Sequence, residues 1–590
     1  MRTHALRRSP AALLLIPFLL LASLLQRGPV SVPDPGQPVK VIVRAIPGLD
    51  LAGAIEGLGG DVGLELGIID SVVAAVPRGA LDDLAATAGV LSVSEDRPVR
   101  MDHAADGFNA VADPGSAYNL NRMVKAEDAW GRGFNGRGID VAVIDTGVVP
   151  VNGLTAPDAI VNGPDLSLEA PDPSVRYLDT YGHGTIMAGI ITGRDDAIAS
   201  GPYTGHDDYA GVAPGSRVVN VKVANALGVV DVSQVIAAID WVVANRDRHG
   251  LNIRVLNLSF GTDGIQDYRI DPLANAAEIA WRRGIVVVVS AGNTGFGDDQ
   301  LNNPAYDPYV IAVGANDTKG TTSPNDDTIP AWSTRGNANR HPDLVAPGTS
   351  VVGLRVPGSH VDQTYPGSRV GTRYVRGSGT SQSAAVVSGA AALLLDQRPL
   401  LTPDQVKKIL MDSASPLPAA DGMAQGEGMV NVKNALNRAT PLFYMQTHPW
   451  SDGSGSLEQS RGSLHVDGEN GLTLQGEVDA FGNEFDSGEW AVLSWLGQIW
   501  NEGVWNGNVW TGSCLCDISW AGNAWEAAPW SSATWDGHTW SGHTWSGHTW
   551  SGHTWSGHTW SGHTWSGHTW SGHTWSGHTW SSAMWGDEGT

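Results

Sequence analysis

Between about residues 118 and 440 the chain carries short, unbroken apolar runs: "IDVAVID", "RVVNVKV", "IRVLNLSF", "GIVVVVSAGN" and "VIAVGA". They alternate with longer stretches of helical periodicity such as "VSQVIAAIDWVVANR" and "LANAAEIAWRRG". Continuous Val/Ile runs predict strands buried on both faces. Interleaved with helices, they predict an α/β domain with a parallel sheet covered on both sides. A different pattern precedes it, over residues 38–100. "VKVIVRAI" reads as a strand, "LDLAGAIEGLGG" as a helix stopped by glycine, "LGIIDSVVAAVP" as two short strands, "GALDDLAATAG" as a second helix and "VLSVSEDRPV" as a closing strand. That is a small α+β unit of βαββαβ order. Residues 101–117 lack apolar periodicity and read as an exposed linker. After residue 440 the helical pattern stops. Residues 441–489 predict a few short strands, and residues 490–590 form a Trp-rich repeat tail, in which a Trp stands at every fifth position from Trp490 to Trp585, Leu515 the one gap.

At the N-terminus Arg2, Arg7 and Arg8 precede an apolar run from Ala11 to Leu25. A basic head and about fifteen apolar residues fit a secretory signal peptide over residues 1–30, whereas a membrane span needs about twenty. The expected location is therefore extracellular; an uncleaved anchor is the alternative. Composition agrees with export and removes one class of partner. With 36 Lys+Arg against 61 Asp+Glu the formal charge is −25, which disfavours nucleic acid. Cys514 and Cys516, the two cysteines, are too close together to staple distant parts of the fold and too few to complete a zinc site.

Three segments of the α/β region each bring one polar group to the end of an apolar element. "VAVIDTGV" ends a buried strand at Asp145. "DTYGHGTIMAGIITG" sets His183 between glycines at the start of a helix of small residues. "GSGTSQSAAVVSGAAALLL" places Ser381 after a Gly-rich turn at the start of another. Singly, each has an ordinary reading as a cap, a satisfied histidine or an N-cap. Together they are the set that nucleophilic acyl transfer needs. A Ser hydroxyl is a weak nucleophile until a His takes its proton, and the His needs a carboxylate to fix its tautomer and stabilise its charge. A nucleophile at a helix N-terminus also meets the positive end of the helix dipole, which suits an oxyanion. An imidazole base works only when neutral, so activity is expected to fall on acidification below about 6.5.

These segments, in the order Asp, His, Ser, resemble the motifs of the subtilisin-like serine proteases. "GVAPGSRVVNVKV", "LNLSFG", "VVSAGNTG", "PDLVAPG" and "TPDQVKKILMDSA" resemble further segments of that family. The resemblance covers residues 118–440 and implies a subtilisin-like catalytic domain cleaving protein or peptide substrates through an acyl-enzyme. It implies Asp145, His183 and Ser381 as the triad, Asn293 as oxyanion-hole side chain, and Ser259, Phe260 and Gly261 along the substrate. The family's Met-Ala-x-Pro after the nucleophile is replaced by Gln382-Ser383-Ala384-Ala385. The βαββαβ unit resembles the family's propeptide, which implies an intramolecular inhibitor cut away within 101–117. No cofactor is implied for catalysis. Family members often bind structural calcium, for which the acidic loop "GRDDAIASGPYTGHDD" is a candidate beside its plainer reading as a solvated loop.

The pentapeptide fits no simple element. On a helix five steps rotate about 500°, and on a strand an odd period alternates faces. A solenoid turning once per repeat, or a flexible chain bearing indoles, would accommodate it. The later units carry nine copies of Gly-His-Thr, while the earlier ones share little but Trp. Rows of Trp suit sugar rings or lipid interfaces, so the tail is expected to contact a cell surface or glycan. The alternative to an enzyme is a catalytically impaired protein of this kind, acting through its tail; the intact Asp, His, Ser and Asn set argues for the enzyme.

Overall fold

The computed structural model describes residues 38–46, 49–66, 71–95, 108–156, 159–297, 300–466, 473–500, 504–509 and 582–585. The expected leader segment, the two cysteines and nearly all of the Trp-rich tail lie outside them. The chain divides into two compact units, Met1–His103 and Ala104–Thr590.

The first unit contains β1 (Pro38–Ala45), α1 (Leu51–Gly57), β2 (Asp61–Leu66), β3 (Ser71–Pro77), α2 (Leu81–Ala86) and β4 (Val90–Glu95). Its strands form an antiparallel sheet in the order β2-β3-β1-β4. In β1 the alternate residues Val41, Val43 and Ala45 turn inward, onto Ala74 and Val76 of β3 and onto Leu51, Ile55 and Leu84 from the helices. This is a one-sided sheet covered by two short helices.

The second unit is built on a seven-stranded parallel sheet of order β11-β10-β9-β8-β5-β7-β6. Its strands are β5 (Asp140–Asp145), β6 (Ile160–Asp165), β7 (Arg217–Lys222), β8 (Ile253–Leu258), β9 (Val286–Ser290), β10 (Ile311–Asn316) and β11 (Leu344–Pro347). All of β5, β9, β10 and β11 is buried, as their unbroken apolar runs require. The principal helices are α3 (Gly184–Thr192), α4 (Val232–Asn245), α5 (Pro272–Arg282) and α6 (Thr380–Gln397). Strand order reverses at β5, whose two neighbours lead to opposite edges, so a crevice is expected at its C-terminal end. An antiparallel group of β12 (Val351–Leu354), β13 (Arg369–Val370) and β14 (Tyr374–Gly379) feeds directly into α6, and β17 (Ser582–Trp585) runs along β14.

Two stretches differ from the sequence reading. From Phe108 the expected linker is tied down: Asn119 Nδ2 donates to the carbonyls of Ala110, Val111 and Asp113, and Asp113 pairs with Arg376. Lacking periodicity, it is held by polar contacts that a hydrophobic pattern does not register. The connector over 441–489, expected as short strands, contains a helix at Leu457–Arg461 and one isolated bridge between Val478 and Glu484, and α7 (Ser487–Leu496) runs from its end into the Trp-rich repeat. It lies against α4 and α5. Arg461 Nε donates to Asp231 Oδ2 at 2.6 Å, both fully buried. Trp450 stacks on Tyr309 at 3.6 Å, with Arg282 over its ring. Trp490 and Trp495 both fall in α7, where five steps turn them to different sides: Trp490 is buried and Trp495 exposed. Trp505 opens a two-residue hairpin of β15 (Val504–Trp505) and β16 (Asn508–Val509), with Asn506 and Gly507 at positive φ.

Candidate active site

Asp145 closes β5 at its C-terminal end. It is 1% exposed, and its Oδ1 accepts the Thr146 N–H at 2.8 Å. His183 caps the N-terminus of α3, and its Nδ1 lies 2.8 Å from Asp145 Oδ1 and 3.0 Å from Oδ2. A carboxylate can only accept here, so Nδ1 carries the proton and Nε2 is the basic nitrogen. The approach depends on glycine. A Cβ on Gly184 would stand 2.2 Å from the Gly147 carbonyl oxygen and 3.0 Å from Asp145 Oδ1.

Ser381 is the second residue of α6. The helix is buried from Thr380 to Leu395, and its small residues let it pack directly against α3, β8, β9 and β10. Ser381 Oγ donates to the Ser259 carbonyl at 3.4 Å, and Ser259 Oγ to the Ser381 carbonyl at 3.2 Å, joining the helix start to the residue just after β8. The run Gln382 to Ala385 leaves the helix continuous, with Gln382 and Ala385 fully buried, so proline is not needed to begin it.

Asn293 follows β9. Its Oδ1 accepts from the Thr380 N–H at 3.0 Å and from Thr380 Oγ1 at 3.1 Å. A backbone N–H can only donate, so the amide orientation is decided. Its Nδ2 is left buried with no hydrogen-bond partner among the described residues. Ser381 directly follows Thr380 in the first turn of α6, next to this anchored amide.

Asp145, His183, Ser381 and Asn293 therefore come from the ends of β5 and β9 and the starts of α3 and α6, though widely separated in sequence. Ser259, Phe260 and Gly261 follow β8 on the same side of the sheet; Phe260 is 1% exposed within the main core, and a Cβ on Gly261 would meet Asn302 at 2.6 Å. In the acidic loop Asp195 pairs with Arg373, Asp196 accepts from Thr155, and Asp207 faces His206. Among the described residues no three His, Cys, Asp or Glu are grouped to hold a metal. Sequence reasoning missed Asp179, fully buried beside the Asp145–His183 pair; its place four residues before His183 was the available signal.

A family model described as the subtilase family, Peptidase_S8, matches residues 136–442. The chain is 36% identical to serine protease AprX of Bacillus subtilis over 312 residues, 52% of this chain and 68% of the relative. It is 31% identical to subtilisin Savinase of Lederbergia lenta over 53% of this chain and 96% of that protein. Minor extracellular protease Epr of Bacillus subtilis is 28% identical over 54% of this chain and 41% of the relative.

Proposed function

Since the chain belongs to the subtilase family and is a subtilisin-like serine endopeptidase, we propose that it hydrolyses peptide bonds through Ser381, His183 and Asp145. His183 Nε2 takes the Ser381 proton as Oγ attacks the scissile carbonyl, and returns it to the leaving amine. Water then repeats the exchange on the acyl-enzyme. Asp145 holds the imidazole by Nδ1 and stabilises its protonated form. The oxyanion is received by Asn293 Nδ2 and the Ser381 N–H. The backbone at Ser259, Phe260 and Gly261 borders the substrate, and no cofactor takes part in the proposed chemistry.

One observation carries this reading: the buried Asn293 Nδ2, without a hydrogen-bond partner among the described residues, on an amide fixed by Thr380 next to the helix start that bears Ser381. A buried donor without an acceptor is costly, and an incoming oxyanion supplies one. In the test, wild-type protein hydrolyses casein and is labelled by a serine-directed fluorophosphonate, and Ser381→Ala does neither. Hydrolysis persisting in that variant refutes the assignment.

The enzyme is further proposed to be exported and made as an autoinhibited precursor, the first unit acting as its inhibitor. Supporting this, the first unit is a compact α+β domain with its own apolar core, ahead of the catalytic unit in the chain. The tail is proposed to hold the mature enzyme to a cell surface or glycan. A variant ending at Val509 should shift from the cell surface to the medium; unchanged partitioning removes that role.

A further inference from the structure

Asp179 is a second carboxylate, 0% exposed, beside the Asp145–His183 pair. Its Oδ1 accepts from Thr146 Oγ1 and from the Gly182 N–H, each at 2.6 Å, and its Oδ2 accepts from the Thr185 N–H at 2.8 Å. Among the described residues no Lys or Arg forms an ion pair with it; burial pushes its pKa up, against these donors. A buried carboxylate without a cation is an expensive residue, and its donors show what it holds. Thr146 directly follows Asp145, Gly182 directly precedes His183, and Thr185 lies in the first turn of α3. One side chain therefore ties the strand end bearing Asp145 to the helix start bearing His183.

The Thr146 hydroxyl is the joint. It has one proton and two carboxylates in reach, Asp179 Oδ1 at 2.6 Å and Asp145 Oδ1 at 3.2 Å. Donating to Asp179, it accepts the Gly184 N–H at 2.9 Å, and Asp145 Oδ1 stays open to His183 Nδ1. Without Asp179 the proton would turn to Asp145 Oδ1, the oxygen that receives the imidazole N–H. We infer that Asp179 is a positioning residue of the catalytic apparatus: through Thr146 it keeps a competing donor off Asp145 and sets the register between Asp145 and His183. This rests on the catalytic reading of those two residues.

The test is a double-mutant cycle in the full chain, matured and assayed on a peptide substrate, with thermal melting as the control for folding. Asp179→Asn should lower kcat by about 10- to 100-fold and leave KM within about twofold, since it removes a transition-state arrangement rather than a substrate contact. In a Thr146→Val background the same change should cost less than about threefold, because the coupling runs through the hydroxyl. Thr146→Ser, which restores the hydroxyl, should recover most of what Thr146→Val loses. If Asp179→Asn does not fold, the Val and Ser variants at position 146 carry the test. Folded Thr146→Val or Asp179→Asn protein with kcat within twofold of wild type, or additive effects, overturns the inference. Asp145→Asn and Ser381→Ala run alongside: full activity in either sinks the catalytic reading itself, whereas their inactivity beside an unaffected Thr146→Val sinks only the role of Asp179.

Discussion

At the scale of single residues, the site works by leaving chosen groups unsatisfied and tying down their other ends. Asn293 is held by its carbonyl oxygen so that its N–H₂ stays available. Asn293→Ala should therefore reduce kcat by about 10²–10³ with little change in KM, as loss of one oxyanion donor does; steady-state kinetics on a chromogenic peptide measures both. Gly184 is equally specific. Gly184→Ala would set a methyl group 2.2 Å from the Gly147 carbonyl oxygen, so it should lower both activity and melting temperature. The Asp, His and Ser were legible in the sequence because each sits beside glycine at the edge of an apolar run. Asp179 was not, because a buried acid looks in sequence like any loop acid until its donors are seen.

At the scale of elements, the connector is part of the protease core. Trp490, Trp505 and Phe485 belong to the main apolar cluster. Asp240 of α4 accepts from Trp490 Nε1 at 2.8 Å, Trp505 Nε1 at 3.0 Å and Ser494 Oγ at 2.5 Å. Trp500 Nε1 donates to the Ala237 carbonyl at 3.1 Å. Trp490, Trp500 and Trp505 thus clasp the enzyme itself. Arg461→Ala leaves Asp231 buried with its charge uncompensated and should cost about 3–5 kcal/mol in chemical denaturation. Burial pushes Asp240 from its ordinary 3.8 up to about 6, against the hydrogen bonds from Ser494, Trp505 and Trp490. A carboxyl with a higher pKa folded than unfolded favours the folded state fully below about 3.8, and that contribution is lost as pH rises through about 6. It is on the order of 3 kcal/mol. Asp240→Asn should therefore show a smaller fall in stability between pH 4 and 7 than the wild type; parallel curves would exclude Asp240 as the cause. The helices of the connector escaped sequence reading because their apolar faces are short and their anchors are indole N–H groups and buried ions.

At the scale of the whole molecule, the second unit is tied down from Phe108 onward by Asn119 and Arg376. Cutting within that stretch would break an ordered segment, which narrows the maturation site expected within 101–117. N-terminal sequencing of mature enzyme should find a start ahead of Phe108, and Ser381→Ala protein purified under the same conditions should keep its first unit. A mature start beyond Ser116 would contradict the docking of that segment.

Apolar period and local residue type determined the α/β architecture and which polar side chains stand at the ends of its elements, because burial on both faces of a strand and small residues at a helix start are written into nearest-neighbour pattern. Only the tertiary structure decided which amide atom of Asn293 is presented, that Asp179 and Thr146 join the strand end to the helix start, and that Trp490, Trp500 and Trp505 face inward onto α4. Those facts depend on contacts between residues from 33 to 265 positions apart, and such contacts arise from packing, which no local pattern encodes.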